Sequence, residues 1–143
     1  PPVVWDTNES RMAGAQGYHV IHPKDDDRTN YARIYDVSGD AASINSFIGR
    51  LAKGGELVLA GFYSQPIAFD FAPAFQREAR IRVAAEWQPD DLHSVHALIE
   101  TGALDLSGLI SCIEPASNAQ AAYPEAFENP DCLKMVLDWR NCE

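Results

Sequence analysis

The run Glu56-Leu57-Val58-Leu59-Ala60-Gly61-Phe62 constrains this chain more than any other feature. Its apolar residues stand side by side instead of alternating with polar ones, the character of a strand covered on both faces at the centre of a parallel sheet. Parallel neighbours need long crossover connections, and the chain supplies them, because short apolar clusters alternate with longer helical stretches throughout. That rhythm predicts an α/β fold with a mainly parallel sheet flanked by helices. Further strands are expected at Val3-Val4-Trp5, His19-Val20-Ile21-His22, Ala32-Arg33-Ile34-Tyr35-Asp36-Val37, Ile81-Arg82-Val83-Ala84-Ala85 and Leu133-Lys134-Met135-Val136-Leu137-Asp138-Trp139. Residues 67–71 also alternate apolar and polar.

Between the strands, residues 9–17 suit a short helix and residues 24–30 a loop or frayed helix. Ile44, Phe47, Ile48 and Leu51 fall at helical spacing within residues 42–53, with Asp40 as N-cap and Gly54-Gly55 as the stop. Residues 72–79 suit a helical turn. Pro89-Asp90-Asp91 opens a helix with Leu92, Val95, Leu98 and Ile99 on its apolar face and Gly102 as its stop, and a last helix is expected at about residues 118–127. No repeat, low-complexity tract or linker interrupts this order.

The 143 residues, 46% hydrophobic and 22% charged, are enough for one compact domain with a core, and unlike a disordered chain. Lys plus Arg number 11 against 21 Asp plus Glu, a net charge of −10, which argues against a nucleic-acid partner. No apolar run approaches the roughly 20 residues that span a bilayer, and no basic-then-apolar leader precedes Val3, so a soluble cytoplasmic protein that begins in mid-domain is expected. Cys112, Cys132 and Cys142 lack metal-ligand spacing and are expected as reduced thiols.

Ligands of open α/β sheets bind beyond the carboxyl ends of the strands, which puts Asp6, Ser38-Gly39, Gly61-Phe62 and Glu86-Trp87 first among candidate residues. A strand-end carboxylate such as Asp6 can accept hydrogen bonds from two ribose hydroxyls and repel a 2′-phosphate, with Arg11 beside the same ribose; the alternative is a simple turn or N-cap. Gly39 and Gly61 would let a flat ring approach the backbone, although tight strand-to-helix turns use glycine too. Phe62, Tyr63, Trp87 and Trp139, aromatic residues near strand ends, are candidates for a ligand pocket, or for core packing. His93, His96 and Glu100 share a helix face without a metal-site pattern, and Asp25-Asp26-Asp27 lacks the rest of a calcium loop; both are expected to be solvated. No nucleophile elbow, Cys/His pair or paired-carboxylate motif is present, so no catalytic residue is assigned.

Val3-Val4-Trp5-Asp6 with Arg11, Tyr35-Asp36-Val37-Ser38-Gly39, and Leu51-Ala52-Lys53-Gly54-Gly55-Glu56-Leu57-Val58-Leu59-Ala60-Gly61-Phe62 resemble, in order, the cofactor domain of the medium-chain dehydrogenases and reductases, entered at its second strand. Residues 50–63 and 75–89, together with Cys132-Leu133-Lys134-Met135-Val136-Leu137-Asp138-Trp139, are similar to the bacteriochlorophyllide a dehydrogenase family within that superfamily. The resemblance implies that residues 1–143 are a Rossmann-like, partial NAD-binding domain lacking the first strand and its glycine-rich turn, with the substrate domain outside the chain. It implies oxidation of the 3-(1-hydroxyethyl) group of a bacteriochlorophyllide to 3-acetyl, with NAD as hydride acceptor. Asp6 and Arg11 would face the adenosine ribose; Val37, Ser38, Gly39, Ala60, Gly61 and Phe62, with Trp87 near them, would line the nicotinamide half. A homo-oligomer is among the expected assemblies. Without the glycine turn the isolated chain is expected to be inactive. The rival readings are another medium-chain alcohol or polyol dehydrogenase, and a non-catalytic interaction module.

Overall fold

A computed structural model describes residues 2–12, 18–84 and 86–140. The chain divides into two compact units, Asp27–Gln88 and the combined segments Pro1–Asp26 and Pro89–Glu143, where length alone suggests one.

The Asp27–Gln88 unit is built on three parallel strands in the order β3 (Tyr31–Asp36), β4 (Leu51–Leu59), β5 (Arg80–Val83). The apolar run is the central strand, as its composition predicts: Leu57, Val58 and Leu59 are all buried. Helix α2 (Ile44–Arg50) lays Ile44 and Ile48, four residues apart, against it, and both are fully buried. With Leu51 they form a core in which each side chain contributes roughly 1.5–3 kcal/mol. Strand β5 is exposed along its length and is an edge. Glu56 lies between Arg33 (2.8 Å) and Arg82 (3.5 Å) on the neighbouring strands, so one carboxylate is shared by two guanidiniums across the sheet.

The expected helix over residues 42–53 is corrected at both ends. Asp40 does cap, accepting from Ala42 N (3.0 Å) and Ser43 Oγ (2.6 Å), but it caps a 3-10 turn, Ala41–Ser43, that leads into α2. Helix α2 stops at Arg50 and β4 begins at once, because the Leu51 carbonyl accepts from the Arg77 guanidinium and Leu51 pairs with Tyr31. Gly54-Gly55 is therefore no helix stop. The strand register slips there, Gly54 takes φ +74°, and a Cβ on buried Gly55 would lie 2.9 Å from Ala52 O, which is the behaviour of a bulge. Residues 67–70 form no strand; they run exposed to helix α3 (Phe71–Gln76), anchored by Asp70 N on Asn45 Oδ1 (2.8 Å).

In the other unit β1 (Val3–Trp5) pairs in parallel with β2 (His19–Ile21), and α1 (Glu9–Met12) follows β1; the rest of the expected helix, residues 13–17, lies outside the described residues. Helix α4 (Pro89–Glu100) forms as expected, with Leu92, Val95, Leu98 and Ile99 all at least partly exposed. Strand β6 (Cys112–Pro115) was not expected; it pairs in parallel with β7 (Met135–Asp138), and α5 (Ala119–Glu128) connects them. Among the described residues β1 and β3 have no strand partner beyond β2 and β4 respectively.

Candidate functional site

Parallel pairing brings the carboxyl ends of β3, β4 and β5 to one edge, since Asp36 faces Leu59 and Leu59 faces Val83. One residue further on, Ala60 N donates to Asp36 O and Ala84 N donates to Leu59 O, each at 2.8 Å. The structure thus brings Val37, Ser38 and Gly39 beside Ala60, Gly61 and Phe62, the six residues expected together, with Val37 and Phe62 exposed. Trp87 lies in the same unit, exposed beyond β5.

The two glycines are needed for each other. A Cβ on Gly61 would lie 2.5 Å from Gly39 N, and one on Gly39, whose φ is +72°, would lie 2.3 Å from Phe62 O. No side chain fits between these backbones. Their bareness is used in the contact between the two turns, which is the tight-turn alternative; the ledge they make is a product of that contact.

Asp36 was missed as a site residue. It is buried, its Oδ1 accepts from Ser38 N (2.9 Å) and Ser38 Oγ (2.6 Å), and its Oδ2 accepts from the Tyr63 hydroxyl (2.5 Å). Burial, then the bond to Asp36, pushes the Tyr63 phenol well above its ordinary range. The available signal was the acidic residue closing an apolar strand before Ser-Gly, the same pattern that singled out Asp6. Tyr63 is thereby committed to Asp36.

In the other unit Asp6 closes β1. Its Oδ1 accepts from Asn8 N (2.8 Å), so the turn role is real, while its Oδ2 faces Arg11 at 3.6 Å. Arg11 also donates to the Pro130 carbonyl through Nε (3.1 Å) and a terminal nitrogen (2.7 Å), a partner the sequence did not suggest. An exposed pair of this kind is worth roughly 0–1 kcal/mol, and the remaining lone pairs of the carboxylate are open to further donors.

The other candidates behave differently. Asp26 is corrected from solvated loop to buried residue, for it accepts from the Trp5 indole at 2.8 Å. His96 Nδ1 lies 3.5 Å from Glu100 on an exposed helix face. Cys112 and Cys132 are free thiols, and a hydrogen bond with Cys132, followed by burial, holds the Cys112 thiol above its usual range; Cys142 lies outside the described residues. Trp139 is exposed. An apolar groove between α5 and β7, lined by Ala122, Tyr123, Ala126, Phe127, Met135 and Leu137, contains none of the candidate residues.

The parallel strand pairs and the helices that connect them are those of the alcohol dehydrogenase fold. An alcohol dehydrogenase of Escherichia coli, solved as a complex with NADH, superposes with a TM-score of 0.82 at 17% identity, over 96% of this chain and 44% of that one. The sequence relationship is narrower. The chain is 59% identical over 140 residues to the 2-desacetyl-2-hydroxyethyl bacteriochlorophyllide A dehydrogenase of Cereibacter sphaeroides, covering 98% of this chain and 44% of that protein. It is 56% identical over 143 residues to the protein of the same name from Rhodobacter capsulatus, covering 100% of this chain and 46% of that protein. The resemblance read from the residues is borne out, and the chain spans about half the length of the curated relatives it matches. No protein-family model matches.

Proposed function

We propose that this chain is the larger part of the NAD-binding domain of a cytoplasmic dehydrogenase that oxidises the 3-(1-hydroxyethyl) group of a bacteriochlorophyllide to 3-acetyl, the substrate domain lying outside residues 1–143. The observation that carries the reading is the 59% identity to a dehydrogenase of that name along almost the entire chain. Among the described residues no helix is long and apolar enough to cross a membrane.

The residues present fit such a cofactor. Asp6 retains acceptor capacity at the end of β1 beside Arg11, which suits two ribose hydroxyls and opposes a 2′-phosphate. Val37, Ser38, Ala60 and Phe62 lie exposed at adjacent strand ends around the Gly39–Gly61 contact, offering backbone polar groups and apolar surface to a flat ring. NAD supplies the hydride-accepting carbon; the chain holds and orients it, and excludes water from one of its faces. Proton removal belongs to groups outside this chain.

The test is oxidation of the hydroxyethyl pigment by the complete enzyme, read by the absorption change on forming the conjugated acetyl group. Asp6→Ala is expected to raise the KM for NAD about tenfold, the loss of roughly one charge-assisted hydrogen bond. Asp6→Gly with an arginine nearby should ease use of NADP. An unchanged NAD/NADP ratio in both variants would remove the role given to Asp6.

A further inference from the structure

We propose that Asp36 is a positioning residue, a buried latch that holds the turn after β3 and the loop after β4 as one preformed ledge for the nicotinamide ring; the proposal rests on the dehydrogenase reading above. The carboxylate spends one oxygen on each segment. Its Oδ1 takes both Ser38 donors, at 2.9 and 2.6 Å, and its Oδ2 takes the Tyr63 hydroxyl at 2.5 Å from the loop 27 residues further along the chain. The backbone adds a third tie, Ala60 N to Asp36 O at 2.8 Å.

Asp36 is only 3% exposed, so losing any of these donors leaves a buried charge short of hydrogen bonds, which is far costlier than the bonds are individually worth. The turns consequently have one low-energy arrangement. The close approach of Gly39 to Gly61 transmits any slip, because an added atom on either glycine would already lie within 2.5 Å of the opposite backbone. A surface set before the cofactor arrives spares the ordering cost on binding. The raised Tyr63 phenol keeps its proton, and hence its donor role, through the neutral range.

The first arm of the experiment is hydrogen exchange on the complete enzyme with Tyr63→Phe. Exchange of amides 37–40 is expected to quicken about tenfold, equivalent to a tenfold shift in local opening, although Tyr63 is not in that turn, while α2 stays as protected as before. Quickening confined to residues 60–64 would overturn the latch. The second arm titrates the complete enzyme with NADH and with ADP, which lacks the nicotinamide. Tyr63→Phe is expected to weaken NADH about tenfold and leave ADP unchanged; equal losses for both, or none, would overturn the positioning role. Asp36→Asn should show both effects more strongly. Should it not fold, Ser38→Ala and Tyr63→Phe carry the test. Failure of the wild-type enzyme to bind NADH would remove the dehydrogenase reading, and the exchange arm would still decide whether Asp36 ties the two loops.

Discussion

Asp6 and Asp36 close parallel strands in the same way, yet their surroundings divide their roles. Asp6 is half-exposed, shares one oxygen with its own turn and faces Arg11 with the other, so it keeps capacity for an outside donor. Asp36 is buried and supplied from within the fold. Its partner gives a sharp prediction at high pH. The folded-state pKa of Tyr63 is raised, so its contribution to stability is complete below the unfolded value of about 10 and is lost as the pH rises above it. Alkaline melting should therefore show a loss that Tyr63→Phe lacks. Asp40 gives the opposite limb, because its hydrogen bonds to Ser43 and Ala42 lower its pKa from 3.8. Its cap is at full strength above that value and fails as the pH falls below it. Thermal melting of Asp40→Ala should lie under wild type at neutral pH and converge with it in acid. The sequence marked Asp6 and Asp40 because local spacing defines turns and caps, whereas Asp36 is tied to Tyr63 across 27 positions, a link that no local pattern reveals.

At the scale of elements, the strands with strong apolar signatures were legible and the boundaries between dissimilar elements were not. β4 announced itself through Leu57, Val58 and Leu59, but its start was hidden because Leu51, Ala52 and Lys53 continue a helical spacing. What ends α2 is tertiary, the Arg77 guanidinium on the Leu51 carbonyl and the pairing with Tyr31. β6 was invisible because four residues ending in proline carry little periodicity, and its partner lies 23 positions away. Of the two reasons the sequence offered for Gly39 and Gly61, ligand approach and a tight turn, the turn contact is the one the backbone geometry displays. Since each turn occupies the space a Cβ would need in the other, Gly61→Ala and Gly39→Ala should each cost more than about 1 kcal/mol, Gly39→Ala the more because its φ is positive. Chemical denaturation of the two variants checks this, and wild-type stability in either would show that the turns can part.

The whole molecule reads as part of a larger machine. It covers 44% and 46% of its bacteriochlorophyllide dehydrogenase relatives, and its strands pair in separate groups, β1 with β2 and β3 with β4 and β5. The sequence holds no Gly-x-Gly-x-x-Gly turn for a pyrophosphate. The 143 residues alone should accordingly give no NAD reduction with the hydroxyethyl pigment, measured at 340 nm, and turnover would contradict the division of labour proposed here. Composition limited the class, and the strand-end residues mark the place proposed here for a ligand. The substrate came only from resemblance, because no side-chain pattern in this chain specifies a tetrapyrrole. The central claim is that this chain carries the ribose and nicotinamide contacts of an NAD-dependent dehydrogenase. Titrating the complete enzyme with NADH and NADPH, wild type beside Asp6→Ala, tests it most directly. NADH should bind, with preference over NADPH, and Asp6→Ala should weaken NADH about tenfold and narrow that preference; a folded enzyme that binds neither nucleotide, or binds both unchanged by the substitution, would contradict it.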